Sequence, residues 1–376
     1  MDGVYLLYEL CAIIESMKNI VDYLNEYGDR YFDDLAFNEV DGLILAQFSY
    51  FRWDKVIPGF LEDEDGVSLS EMALNIDEDY VYKSQLYPED NEKLFDAMLR
   101  SKRYKDMRCN FYSDETNEDT QMQFAAFTCF PKGALPVMVF RGTDGTVVGW
   151  REDFNMAFSK PYAGQRLASL YVNQAALRIH GDFILTGHSK GGNLAAFSAM
   201  NAVTGIRERI RNIYCYDSPG FRKEILSEYG YDAISSRIRK FMPQSSIVGI
   251  LLEGAKDYVT VKSSALGGAF QHNPYSWSVS DTYFEKADEI KRSSKVMKKS
   301  MNEWVMELKE DELEMFVDTL FDVISASGAK SVPQIMADKK AWLSAVREAT
   351  ANLDDEKKSN FRNIMKELFD AIYRNR

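Results

Sequence analysis

The sequence predicts an α/β fold: a mostly parallel sheet flanked by helices, with a helical appendage at the C-terminal end. Three observations predict it. Through the middle of the chain, short apolar runs alternate with stretches of about 10–15 residues at helical spacing, the pattern of βαβ units. One run-to-helix junction carries Gly187-x-Ser189-x-Gly191. Residues 285–376 hold one proline (Pro333), one glycine (Gly328) and no histidine, and their apolar side chains recur at helical intervals.

The elements follow in order. Residues 1–35 read as a helical lead-in, residues 36–284 as the α/β body and residues 285–376 as the appendage of three or four helices. Residues 60–95 are acidic and broken by turn residues (LEDEDG, IDEDY, YPEDNE), so a solvated insertion is expected there. A calcium site in that stretch lacks the EF-hand spacing. Met122–Phe130 and Pro136–Phe140 are apolar runs parted by Pro131-Lys-Gly, a hairpin signal. A helix near 163–180, an apolar run 182–186 and an alanine-rich helix 190–203 come next. A run at 212–216, a helix at 221–229 and a run at 237–242 complete the body. In the appendage, Trp304, Leu308, Leu313, Phe316, Val317, Leu320 and Phe321 mark helical faces. Gly328 and Pro333 mark a break, and Asn352-Leu-Asp-Asp-Glu-Lys caps a last helix.

Composition excludes several functions. The 376 residues, 45% apolar, suffice for a sizeable core. The net charge of −13 disfavours nucleic acid and basic-patch docking on anionic lipid. The charge is uneven: residues 285–376 carry 17 basic and 18 acidic side chains, leaving −12 on residues 1–284. Cys11, Cys109, Cys129 and Cys215 form no CxxC pair, so neither a zinc ribbon nor a disulfide framework is expected. The start, MDGVYLLYELCAIIE, carries acids around its apolar stretch and no basic region, unlike a signal peptide. No run approaches the roughly 18 apolar residues of a membrane span. The expectation is a soluble protein of the reducing cytoplasm.

Chemistry concentrates in GDFILTGHSKGGNLA (181–195). A serine between a strand and a helix, with glycines two positions either side, is the pattern of a nucleophile elbow. Its turn strains the serine backbone, and the flanking positions must be nearly free of side chain, which Gly187 and Gly191 provide. Gly192 lets the helix approach the sheet. The backbone N–H of Lys190, at the helix N-terminus, points at a developing oxyanion.

GHSKGGNLA, with the upstream VFRGTDGTVVGWREDF (139–154), resembles the class 3, fungal-type lipases of the α/β-hydrolase superfamily, and within it a bacterial branch. The resemblance covers residues 36–284. It implies that the strand ending in Phe140-Arg-Gly-Thr143 carries the first oxyanion-hole residue, Thr143, and that Trp150 and Asp153 follow it. Thr143 offers both a backbone N–H and a hydroxyl; the same Gly-Thr-Asp-Gly is also a β-turn signal.

A serine nucleophile needs a base, and there are three histidines, His180, His188 and His272. His188 adjoins the serine, so the turn directs its ring away from the hydroxyl. His180 ends the helix before the nucleophile strand, where an imidazole faces the helix dipole. His272 lies in a glycine-flanked loop after the nucleophile and before Trp277, in the chain order of this fold. The acid stays open between two readings. In class 3 lipases it follows a later strand, but the corresponding loop, Met242–Gly249, has no carboxylate. Either Asp217, at the end of the preceding strand, supplies it, as in pancreatic-type lipases, or it is absent and Ser245 or Ser246 orients the base. The expected substrate is a small-molecule or lipid ester, with no metal or organic cofactor. Phe154–Tyr162 is a candidate apolar entrance, though such residues are more often core. A catalytically weak hydrolase fold used for binding is the other reading.

Overall fold

The computed structural model describes residues 17–62, 65–117, 122–143, 161–255, 257–307 and 353–375, with single positions between 312 and 351. Trp150, Asp153, most of Phe154–Tyr162 and the Gly328–Pro333 break lie outside the described residues.

Chain geometry first gives α1 (Ile20–Tyr27) and α2 (Glu39–Phe48). Each starts on an asparagine capping box: Asn19 with Asp22, and Asn38 with Asp41. An eight-stranded sheet then runs in chain order: β1 (Val67–Ser68), β2 (Arg108–Asn117), β3 (Met122–Phe130), β4 (Val137–Phe140), β5 (Phe183–His188), β6 (Ile210–Tyr216), β7 (Ile238–Pro243) and β8 (Val259–Val261). Strands β1 to β4 are antiparallel neighbours, and β4 to β8 are parallel. Helix α3 (Pro88–Arg100) precedes β2, while α4 (Ala163–Arg178) and α5 (Lys190–Asn201) flank β5. This is a mostly parallel sheet between helices, an α/β-hydrolase type of architecture.

Two cores, one on each face, explain why the strands read as unbroken apolar runs. Val137, Val139, Ile184, Tyr214 and Tyr216 join α1, α2 and α3 on one side. Met138, Phe140, Phe183, Leu185, Ile213 and Cys215 join α4 and α5 on the other. The alternation is the two-residue period of a strand, with both faces covered. All six residues of β5 are buried.

The structure departs from the sequence expectation in the acidic stretch. The acidic stretch 60–95 is not simply a solvated insertion. It contributes β1 at the sheet edge and buries Leu69, Met72, Val81, Leu94 and Phe95 in the first core. Its charges occupy the exposed faces of short amphipathic elements, which a charge count conceals. In the described part of the lead-in, residues 17–35, Ile20, Tyr23 and Leu24 are buried in the same core. Cys109 and Cys129, distant in sequence, face each other across β2 and β3 as buried free thiols with sulfurs 3.8 Å apart.

In the appendage, α6 (Arg292–Glu307) packs on α7 (Asp355–Arg374). The Trp304 indole N–H donates to the Ile364 carbonyl at 3.1 Å, and the Ser300 hydroxyl bonds the Ala371 carbonyl at 3.2 Å. Asp354 caps α7, as the Asn352–Lys357 signal anticipates. Helix α6 also meets the body: Met297 packs on Met242, Ile250 and Ile290, and Asn302 accepts from the Leu252 N–H. Among the described residues no helix is long and apolar enough to cross a membrane.

Candidate active site

Four sheet edges and loops converge at the C-terminal ends of β4 to β7, where open parallel sheets place their ligands. β5 delivers Ser189, the N-cap of α5, with φ 56° and ψ −131°. A positive φ is strained for a non-glycine residue and is held here by the surroundings. The Ser189 N–H donates to the Tyr216 carbonyl at 2.9 Å, and its carbonyl accepts from the Gly192 N–H at 3.1 Å. The flanking glycines are required by packing. A Cβ on Gly187 would lie 2.2 Å from the Gly191 carbonyl carbon, and one on Gly191 would lie 2.1 Å from the Phe140 oxygen. The turn can therefore form only where strand and helix backbones touch.

β6 delivers Asp217 one residue beyond its end, also at positive φ (40°) and fully buried. Its two carboxylate oxygens are both engaged. Oδ2 accepts from His272 Nδ1 at 2.6 Å. Oδ1 accepts from the Ser246 hydroxyl at 2.5 Å and the Gly249 N–H at 3.1 Å. The loop after β7, which holds no carboxylate of its own, thus supplies donors to a carboxylate that arrives from β6. Ser246 does not orient the imidazole directly. Ser245 fixes the neighbouring loop instead, its N–H donating to Gln271 Oε1 at 2.8 Å.

His272 ends a short 3-10 turn, Gly268–His272. Its side chain is 26% exposed against 1% for that of Asp217, so the imidazole has an open side and the acid has none. Because Nδ1 donates to the carboxylate, the neutral ring leaves Nε2 unprotonated and able to accept a proton. The loop is held by buried anchors. The Trp277 indole N–H donates to the Gln271 carbonyl at 2.9 Å, and the Tyr275 hydroxyl donates to Asn91 at 2.8 Å. The ring of His188, the residue before Ser189, lies 4.4 Å from that of His272, and no hydrogen bond joins the serine hydroxyl to the imidazole among the described residues. Such bonds are often long in unliganded sites.

Lys190 opens α5, the end toward which a helix directs its N–H groups. Its side chain turns inward, and the buried ammonium donates to the Gln123 carbonyl at 2.9 Å. Thr143, half-buried, lies three residues beyond β4. Arg141, just before it, is buried and paired with Asp114 at 3.2 Å. His180 is exposed past the end of α4. Tyr50 and the Gly249 N–H belong to the site without any sequence motif to announce them, while Ser246, a sequence candidate for orienting the base, bonds the carboxylate of Asp217. No group of three or more His, Cys, Asp or Glu side chains suited to a metal ion occurs among the described residues.

A family model described as Mbeg1-like matches residues 98–322, a span that contains Ser189, Asp217, Ser246 and His272 but not Tyr50. Among solved structures the chain is similar to one titled as the crystal structure of M37 lipase, at 15% identity and a TM-score of 0.37, over 57% of this chain and 70% of that one. That likeness is remote. No curated protein matches the chain.

Proposed function

The chain belongs to the Mbeg1-like family, the match covering more than half its length, and from that premise we propose that it is a serine hydrolase of carboxylic esters, lipase- or esterase-like. One observation carries the reading: His272 Nδ1 is 2.6 Å from the buried Asp217 carboxylate, in a loop bonded to the residue before the strained elbow serine. In the proposed reaction Ser189 Oγ attacks the ester carbonyl carbon while His272 Nε2 takes the hydroxyl proton. Asp217 holds the imidazole tautomer and balances the imidazolium charge. The N–H groups of Thr143 and Lys190 receive the oxyanion. Collapse expels the alcohol, which takes the proton from His272 and leaves an acyl-Ser189 ester. Water, deprotonated by His272, then releases the acid and restores the serine.

Beside His272, Leu266 and Phe270 are 95% and 66% exposed, apolar surface that suits an acyl chain. The binding-protein alternative rested on a missing acid in Met242–Gly249, and it loses weight with Asp217 on the His272 ring. The test is hydrolysis of p-nitrophenyl esters of increasing chain length. The wild type is expected to turn over a short or medium ester. His272→Ala is expected to lower turnover by about 10³-fold or more. A wild type inert to the whole series would remove the hydrolase reading.

A further inference from the structure

His188 is not the base, yet it is the most constrained imidazole in the molecule. Its side chain is buried, and both ring nitrogens are bonded. Nε2 lies 2.9 Å from the backbone carbonyl of His272, and Nδ1 lies 2.8 Å from the Tyr50 hydroxyl. A carbonyl can only accept, so Nε2 carries the proton. A neutral ring then has Nδ1 as an acceptor, and Tyr50 is the donor. Burial, reinforced by the neighbouring His272, holds His188 well below the ordinary histidine range, so neutral is its form near pH 7.

The two imidazoles lie 4.4 Å apart and tilted by 36°. His272 becomes an imidazolium each time it accepts the serine proton, and a second positive ring at that distance would oppose it. The titratable groups facing His188 are Tyr50, from the turn after α2, and His272, from the base loop; Asp217 meets the Nδ1 side of His272. Tyr50 also touches the oxyanion side. Its hydroxyl lies 3.5 Å from the His188 carbonyl, and a Cβ on Gly142 would come within 2.0 Å of it.

Building on the hydrolase reading, we propose that His188 and Tyr50 are a positioning pair: His188 pins the backbone of His272 to the nucleophile elbow, and Tyr50 locks His188 in the Nε2–H tautomer so that it stays a neutral neighbour of the working base. The pair ties together the segment after α2, the elbow and the base loop.

The experiment joins nitrogen NMR of the full-length, 15N-histidine-labelled protein to steady-state kinetics. In the wild type, His188 is expected to show a protonated Nε2 and a bare Nδ1, without titrating near the ordinary value of about 6.5. Tyr50→Phe should give a mixed tautomer at His188. In turnover, His188→Phe should lower kcat about 10- to 100-fold with KM nearly unchanged, and His188→Gln, which keeps an N–H donor, should recover most of the loss. A His188 protonated on Nδ1, one titrating near 6.5, or a His188→Phe kcat within about twofold of wild type would overturn the proposal. If His188→Phe does not fold, the tautomer in Tyr50→Phe decides. A wild type without esterase activity would count against the hydrolase reading alone, because the NMR outcome still tells whether the His188–Tyr50 lock exists.

Discussion

Asp217 receives three donors at once, from His272 Nδ1, the Ser246 hydroxyl and the Gly249 N–H, while its own side chain is sealed from solvent. A buried carboxylate so bonded is fixed in place. This residue separates the two readings of the acid. If it orients His272, Asp217→Asn should lower kcat by about 10⁴-fold, because the amide reverses the tautomer. Ser246→Ala removes one charge-assisted bond from the other oxygen and should lower kcat by about 10- to 100-fold. If Asp217→Asn turns over at the wild-type rate and Ser246→Ala does not, the serine reading stands instead. The sequence made the elbow legible because its glycine spacing reflects a local clash, here with Phe140 and Gly191 backbone. Counting histidines singled out His272, the imidazole that meets Asp217. The sequence left the acid open because the partner is 55 residues away and approaches from a different strand.

At the scale of elements, the strand runs were readable because each parallel strand is covered on both faces. The registers came from packing, as in β5, whose last two residues, Gly187 and His188, extend past the apolar run that announced it. β2 and the elements around α3 were hidden by their charges. In PEDNEKLFDAMLR the buried residues are Asn91, Leu94, Phe95, Ala97 and Met98, one face of a helix whose other face is acidic. β7 carries an element-level oddity in Lys240. It pairs with Cys215 across β6, is buried, and has its pKa lowered to about 8 by burial. From about pH 8 to 10.5 the unfolded chain holds a lysine proton that the folded chain has released, so stability rises with pH over that window. Below it the buried charge is carried in full. Lys240→Met should therefore be about 1–3 kcal/mol more stable than wild type at pH 7 and should lack the alkaline rise. Urea unfolding of both proteins at pH 7 and 10 measures this. A destabilised Lys240→Met at pH 7 would mean that the ammonium serves the fold.

Among the described residues, the lead-in from residue 17, the acidic stretch and the body share one buried core. Asp41 of α2, which also caps its helix, is fully buried with Arg103 at 2.5 Å and the Tyr104 hydroxyl at 2.7 Å, and Tyr23 of α1 reaches it at 3.3 Å. Arg103 further bonds the Leu35 carbonyl at 2.7 Å. No periodicity forecasts such a contact, because its members come from three separate stretches of chain and gain only by meeting in a dry interior. The division proposed from the sequence, with a boundary near residue 36, crosses this cluster. The appendage boundary near 285 has its own contacts with the body through Met297 and Asn302. The net charge of −12 on residues 1–284 sits on this joined body. The central claim for all of it is that the body presents an activated serine. Incubating the full-length protein with a fluorophosphonate and weighing it intact tests that claim most directly. The expected result is a single phosphonyl adduct, mapped by peptide sequencing to Ser189, absent from Ser189→Ala and slowed by about 10³-fold or more in His272→Ala. A wild type that stays unmodified, or an adduct that persists in Ser189→Ala, would contradict it.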